Sequence, residues 1–209
     1  RARAGRRTRM ISRLSVMAKE LEILVLTDTA AWRDWLDEHE DSSDGVWLLH
    51  AKKGVHTPTS LTYQPALLEA LCSGWIDGQR ASVDDTTFRQ RYTPRRKASL
   101  WSQRNVTLVA ELIAAGRMRP RGQAEIDRAK ADGRWERAYA GPASATIPED
   151  LAAALEVSPA AAETFAILTG QNRYAVLHRI HTAPSPTSRA NRLAKLVGML
   201  GRGETPYPQ

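Results

Sequence analysis

ALCSGWIDGQ (residues 70–79) holds the only cysteine of the chain, Cys72, followed by Gly74, Trp75 and Asp77. Two readings compete. Cys72 is either a reactive thiol beside a base, or part of a helix that stops at Gly74 and hands over to a strand at Trp75. A reactive thiolate needs a helix N-terminus or a cationic neighbour. Here Leu67, Leu68, Leu71 and Cys72 fall on one stripe of a helix over 62–74, with Pro65 in its first turn and Gly74 as its stop. Cys72 therefore lies near a helix C-terminus, where the dipole disfavours a thiolate. Free cysteines are also among the most buried residue types. The sequence predicts a core cysteine.

Working outward, WIDGQRASV (75–83) and TFRQRYT (87–93) flank Asp84-Asp85 and read as an antiparallel strand pair. Upstream, VWLLHAKK (46–53) follows the turn Asp44-Gly45 and reads as a strand, and GVHTPTS (54–60) as a loop. Residues 30–40 put Trp32, Trp35 and Leu36 on one helical face with acids opposite. Downstream, residues 102–116 form the clearest helix, capped by Ser102 and ended by Gly116, and a shorter helix covers 123–133. Further helices cover 148–156, 159–169, 171–181 and 187–201, with PASA (142–145) as the linker. Strands are segregated from helices. The expected class is α+β: a small antiparallel sheet with packed helices in the N-terminal part, followed by a C-terminal all-helical subdomain. The expected division is a basic tail (1–16), a core domain (17–141), a helical subdomain (146–203) and a short tail (204–209).

The net charge of +7 resembles a nucleic-acid signature, but six of the arginines fall in residues 1–16, leaving +1 for 17–209. Phosphate-backbone affinity is built from summed positive charge, so nucleic acid is a weak expectation. Met17 opens MAKELEILVL, which reads as a natural start. The arginine-rich tail is expected to be dispensable. No secretory leader is read in it. No apolar run suffices to cross a bilayer, so no membrane insertion is expected. One cysteine excludes an intrachain disulfide and fits a reducing, cytoplasmic setting.

His39, His50, His56, His178 and His181 form no HExxH and no spacing with the lone cysteine that would hold zinc. Phosphate-loop, dinucleotide and GxSxG signatures are missing. No metal, cofactor or catalytic residue is expected, and a non-enzymatic role is favoured over an enzyme of unknown reaction. One feature points to a ligand. Residues 86–110 carry no acid, and RQRYTPRRKASLWSQRN (89–105) interleaves arginines with hydroxyls and amides before a helix start. Arginine forks and helix N-termini both attract carboxylate or phosphate. The same composition also fits structural ion pairs with the acidic helix at 34–44. The candidate ligand-binding set is Lys52, Lys53, Trp75, Asp77, Arg91, Arg95, Arg96, Ser99, Trp101, Ser102 and Asn105. Within it, Arg95, Arg96 and the Ser102 helix start are expected to form an anion-binding corner, with Asp77 orienting one guanidinium.

Read in order, KKG (52–54), ALCSGWIDGQ (70–79), YTPRRKASLWSQRN (92–105), AAGRMRPRGQAEIDRAKADGRWERAY (114–139), IPEDLAAALEVSPAAAETFAIL (147–168) and NRYAVLHRIHTAPSPTSRANRLAKLVGML (172–200) resemble the YdeI/OmpD-associated, bacteriocin-protection family over about residues 25–203. Ser73 departs from the resemblance, standing where the family more often has an aromatic residue. The resemblance implies a role in stress response and in tolerance of antimicrobial peptides and bacteriocins. By name it also implies association with an outer-membrane porin. It brings no reaction and no cofactor. The partner it leaves to be found is an anionic small molecule or a protein.

Overall fold

A computed structural model describes residues 23–209; the expected tail at 1–16 lies outside the described residues. Strand β1 (Ile23–Leu24) leads to Asp28, whose side chain accepts from the Ala31 N–H at 3.0 Å and opens α1 (Thr29–His39). Strand β2 (Val46–Ala51), helix α2 (Tyr63–Cys72) and the hairpin β3 (Trp75–Ser82) and β4 (Thr87–Pro94) follow. The sheet order is β1-β2-β4-β3. The α+β expectation holds. β2, β4 and β3 are antiparallel as expected, and β1 adds a parallel edge beside β2, so the sheet is mixed. β1 escaped the sequence reading because it is two residues long and owes its strand character to β2.

Apolar spacing determines how the layers stack. α1 lays Trp32 and Leu36 on Val46 and Leu48 of β2, Trp75 of β3 and Tyr92 of β4. Helix α2 is apolar on two faces. Ala66 and Ala70 join that sheet core, while Leu67, Leu71 and Cys72 face α3 (Gln103–Ala114) and α4 (Pro120–Ala131) through Val109, Leu112 and Ile126. Cys72 is buried as expected, and burial, then the Glu69 carboxylate, pushes its thiol pKa up. Gly74 ends the helix at φ +69°, in the left-handed region open to glycine.

The acidic face of α1 finds its cations outside 89–105. Asp37 pairs with Arg119 and Asp41 with Arg121, at 2.8 and 2.7 Å. The buried Glu69 takes Arg33 and Arg117 at 2.6 and 2.5 Å. Burial alone would raise the Glu69 carboxyl; Arg33, Arg117 and Arg119 hold it below the ordinary range.

His50, on β2, is fully buried between Phe88 and Tyr92, with no hydrogen-bond partner on either ring nitrogen among the described residues. Burial lowers its pKa to about 4, against a weak opposing pull from the nearby Leu61 and Thr62 backbone, which lies outside hydrogen-bond geometry. The unfolded chain, with an ordinary histidine near 6.5, binds more protons between the two values. This group's contribution is therefore intact above about pH 6.5 and shrinks as pH falls toward 4, by roughly 2 kcal/mol at about pH 5. Urea melts at pH 7 and 5 of the parent and of His50→Leu check this. The parent should lose more stability than the variant by about that difference. Equal losses in the two proteins would rule it out.

Residues 149–201 form four helices: α5 (Glu149–Glu156), α6 (Pro159–Ala166), α7 (Gly170–His181) and α8 (Pro186–Gly201). They close on a core of their own, including Leu151, Phe165, Val176, Ile180, Leu196 and Leu200. Asp150 grips Arg189 through both carboxylate oxygens, at 2.6 and 2.9 Å, tying α5 to α8. Residues 204–209, expected as a tail, fold back on α7: the Asn172 side chain donates to the Tyr207 carbonyl at 3.0 Å and accepts from its N–H at 2.8 Å.

Candidate functional site

β4 delivers the arginine-rich segment to the junction with the C-terminal helices. The Arg95 N–H donates to the Gly74 carbonyl at 3.0 Å, which fixes the chain as it leaves the sheet. Arg95 then turns inward and is only 4% exposed. Its guanidinium lies 3.5 Å from the Trp101 ring centroid, and Nη1 donates to the Leu100 carbonyl at 3.1 Å. Trp101 is buried and meets Trp135 edge-on at 4.8 Å. Arg134 is 6% exposed; its Nε donates to Asp132 and its Nη1 to the Ser99 carbonyl at 2.8 Å.

These groups leave donors without acceptors. Arg95 Nε and Nη2, Trp101 Nε1 and Arg134 Nη2 are all buried and make no hydrogen bond among the described residues. A buried donor in that state costs about 1–3 kcal/mol, more when charged. Burial pushes the Arg95 pKa down to about 10; Glu125, Tyr139 and Asp77 oppose that, and Arg134 adds to it. Two guanidinium groups and an indole N–H thus present only positive ends, the arrangement that suits an oxyanion.

Beside them lies a cleft of about 620 Å³ between the segment around Tyr139 and the C-terminal helices. Gln103, Arg137, Tyr139, His181, Ser185 and Arg189 line it. A smaller cavity of about 160 Å³ shares Arg137 and His181 with it and reaches Leu100 and Arg134. Tyr139 holds the two sides together: its N–H donates to the Trp101 carbonyl and its own carbonyl accepts from Gln103, both at 2.9 Å. Its ring meets His178 of α7 edge-on at 4.8 Å.

The expected corner is rearranged. Arg96 is exposed, and its N–H donates to Ser99 Oγ at 2.8 Å. The start of α3 is already occupied: Ser102 Oγ accepts from Asn105 N–H and Tyr139 takes the Gln103 N–H, so this helix end is not an open anion seat. Asp77 does not pair with Arg95 or Arg96; it accepts from the Tyr63 hydroxyl at 2.8 Å and lies across the hairpin from Tyr92. Arg104 supports that contact, donating to Tyr63 at 3.4 Å and Gln64 at 2.6 Å. Trp75 and Asn105 are buried away from this cluster's unpaired donors, and the Trp75 indole donates to the Glu40 carbonyl at 3.3 Å. Arg91 is half-buried on β4. Lys52 donates to the Asp84 carbonyl at 2.9 Å and Lys53 is exposed, both beside the opposite end of β4, roughly 25 Å from Arg95 at strand rise. Of the expected set, Arg95, Ser99 and Trp101 converge with Arg134. Arg134, Arg137 and Tyr139 were missed because the turn segment after α4, not the arginine-rich segment, brings them in.

Among the described residues, no group of three or more histidines, cysteines and carboxylates could hold a metal ion, and no helix is long and apolar enough to cross a membrane. Residues 24–125 match a family model described as Domain of unknown function (DUF8412). Residues 144–203 match the model described as Bacteriocin-protection, YdeI or OmpD-Associated. The resemblance read over 25–203 as one family thus divides between two models; Arg95 and Trp101 fall in the first, and Arg134 lies between the two. No curated protein and no solved structure matches the chain. Over its C-terminal helices, residues 144–203, the chain is thus similar to the YdeI/OmpD-associated, bacteriocin-protection family.

Proposed function

We propose that the protein is a non-enzymatic stress and antimicrobial-peptide tolerance protein of the cytoplasm. It acts by binding an anionic ligand, or an anionic group of a partner, at the Arg95–Trp101–Arg134 cluster behind the cleft. The observation that carries this reading is the set of buried donors with no acceptor. A carboxylate or phosphate supplies the oxygens that two guanidinium groups and an indole require. The catalytic alternative, an enzyme of unknown reaction on a small anionic substrate, has no comparable observation behind it among the described residues.

Thermal melting with sulfate, phosphate and citrate, at constant ionic strength, tests the reading. At a hundredfold excess over Kd, a ligand selective for the folded state adds about 2.7 kcal/mol, on the order of 5–10 °C for a chain of this size. Arg95→Met should abolish that shift while melting, without anion, at or above the parent, because an unpaired buried cation is replaced by an apolar group of similar length. No anion-dependent shift in the parent, or the same shift in Arg95→Met, would remove the cluster from consideration as a site.

A further inference from the structure

Residues 164–203 contain no Asp or Glu, yet carry Arg173, Arg179, Arg189, Arg192, Lys195 and Arg202. The acids of the helical part, Glu149, Asp150, Glu156 and Glu163, all lie on α5 and α6. The four helices are thus polarised, with an acidic pair against a basic pair. Arg189 and Arg202 are matched by Asp150 and Glu204. Arg179, Arg192 and Lys195 have no carboxylate within ion-pair distance among the described residues. They border a groove of about 640 Å³ between α7 and α8.

The groove has a definite pattern. Arg192, Lys195, Leu196 and Met199 stand at i, i+3, i+4 and i+7 on α8, one face over two turns, about 10 Å long. Leu196 and Met199 give it an apolar floor, and Arg179 borders it from α7. Arg192 is held in place by donating to the Arg179 carbonyl at 2.8 Å. Burial, then His181, Arg179 and Arg192, hold the His178 ring below the ordinary histidine pKa.

We infer that the α7–α8 groove docks an acidic peptide segment of a partner protein, one that interleaves carboxylates with one or two apolar side chains. Charge complementarity sets the sign. The apolar floor sets the second requirement, which a bare oxyanion leaves unfilled. The length of the row sets the third: its two turns carry cations at one end, Arg192 and Lys195, and apolar side chains toward the other, Leu196 and Met199, which suits a peptide bearing both kinds of group rather than a single headgroup. Nucleic acid would look for aromatic stacking or a longer cationic track. A cationic peptide is repelled, so this site is separate from any direct capture of a bacteriocin.

The test uses the whole chain and a fluorescein-labelled peptide of glutamates with leucines three and four residues apart, followed by anisotropy. Binding in the micromolar range, weakened at least tenfold by Arg179→Glu with Lys195→Glu, is expected. Lys195→Glu alone, at an exposed position on α8, should weaken it severalfold with an unchanged melting temperature. That separates lost binding from lost fold. Replacing the peptide leucines by serine should also weaken it severalfold, and raising the salt well above physiological should weaken it further. Four results would overturn the inference: no binding; equal affinity for the serine peptide; binding to phosphatidylglycerol vesicles but not to the peptide, which would make the groove a lipid-headgroup site; or concentration-dependent self-association lost on charge reversal without peptide binding, which would seat the acidic face of α1 from a second copy there.

Discussion

Trp32→Ala is expected to cost about 3–5 kcal/mol, the range for emptying a buried tryptophan site. Trp32 is fully buried. Its ring stacks on Trp35 at 5.3 Å, meets Trp75 edge-on at 6.3 Å and tilts against Tyr92 at 5.5 Å. Its indole N–H donates to the Ala66 carbonyl at 3.1 Å. One side chain therefore joins α1 to α2, β3 and β4. The cavity left by alanine has little chance to collapse, because its walls are other large rings. A urea titration should show the midpoint falling in proportion, and a thermal melt should fall by on the order of 6–20 °C for a chain of this length. A loss below about 1 kcal/mol would mean that Trp35 swings into the space and that the cluster is looser than its ring distances imply.

Gly122→Ala, a single methyl group on α4, should cost about 3 kcal/mol or more. A Cβ at this position would stand 2.1 Å from the Cys72 carbonyl oxygen and 2.7 Å from the Met118 methyl carbon. Met118 can move; the Cys72 carbonyl is main chain at the end of α2, already accepting from the Arg119 N–H at 3.2 Å. Gly74 sits against the same turn, with the Gly122 Cα 3.3 Å from where its own Cβ would stand. α2 and α4 meet glycine to glycine, so the substitution must push the two helices apart and loosen Leu71 and Cys72 against Ile126. In an ordinary helix interior the same change would be favourable, because alanine is the better helix former. A neutral or stabilising outcome would show that α4 shifts without disturbing α2.

The acid-free segment was legible in the sequence as a charge anomaly, and so was the presence of Arg95 and Trp101 within it. Their roles were not. Whether an arginine points outward as part of an anion seat or inward over an indole depends on what packs behind it, and here Trp135 and the turn through Arg134 do so from more than thirty residues away. Asp77 was expected to meet an arginine by proximity in charge, but the strand register set it opposite Tyr92, within reach of Tyr63. The basic groove on α7 and α8 was missed because its three cations, Arg179, Arg192 and Lys195, are separated in the sequence, too thin to stand out until two helices bring them side by side.

Periodicity and stop signals alone determined the helices and the hairpin: α2 ends beside Gly74, β3 begins at Trp75, and Cys72 lies on an apolar stripe. These are local decisions, made by backbone sterics and by the spacing of apolar residues over one or two turns. The start of α4 shows where that information ends. The sequence reading begins this helix at 123, yet the helix starts at Pro120 with Gly122 inside its first turn. The glycine is there for the Cys72 carbonyl fifty residues earlier in the chain. The parallel edge strand β1, the inward turn of Arg95 and the capture of Tyr139 by the Trp101 backbone were decided the same way. Each depends on a surface that exists only after distant segments have packed.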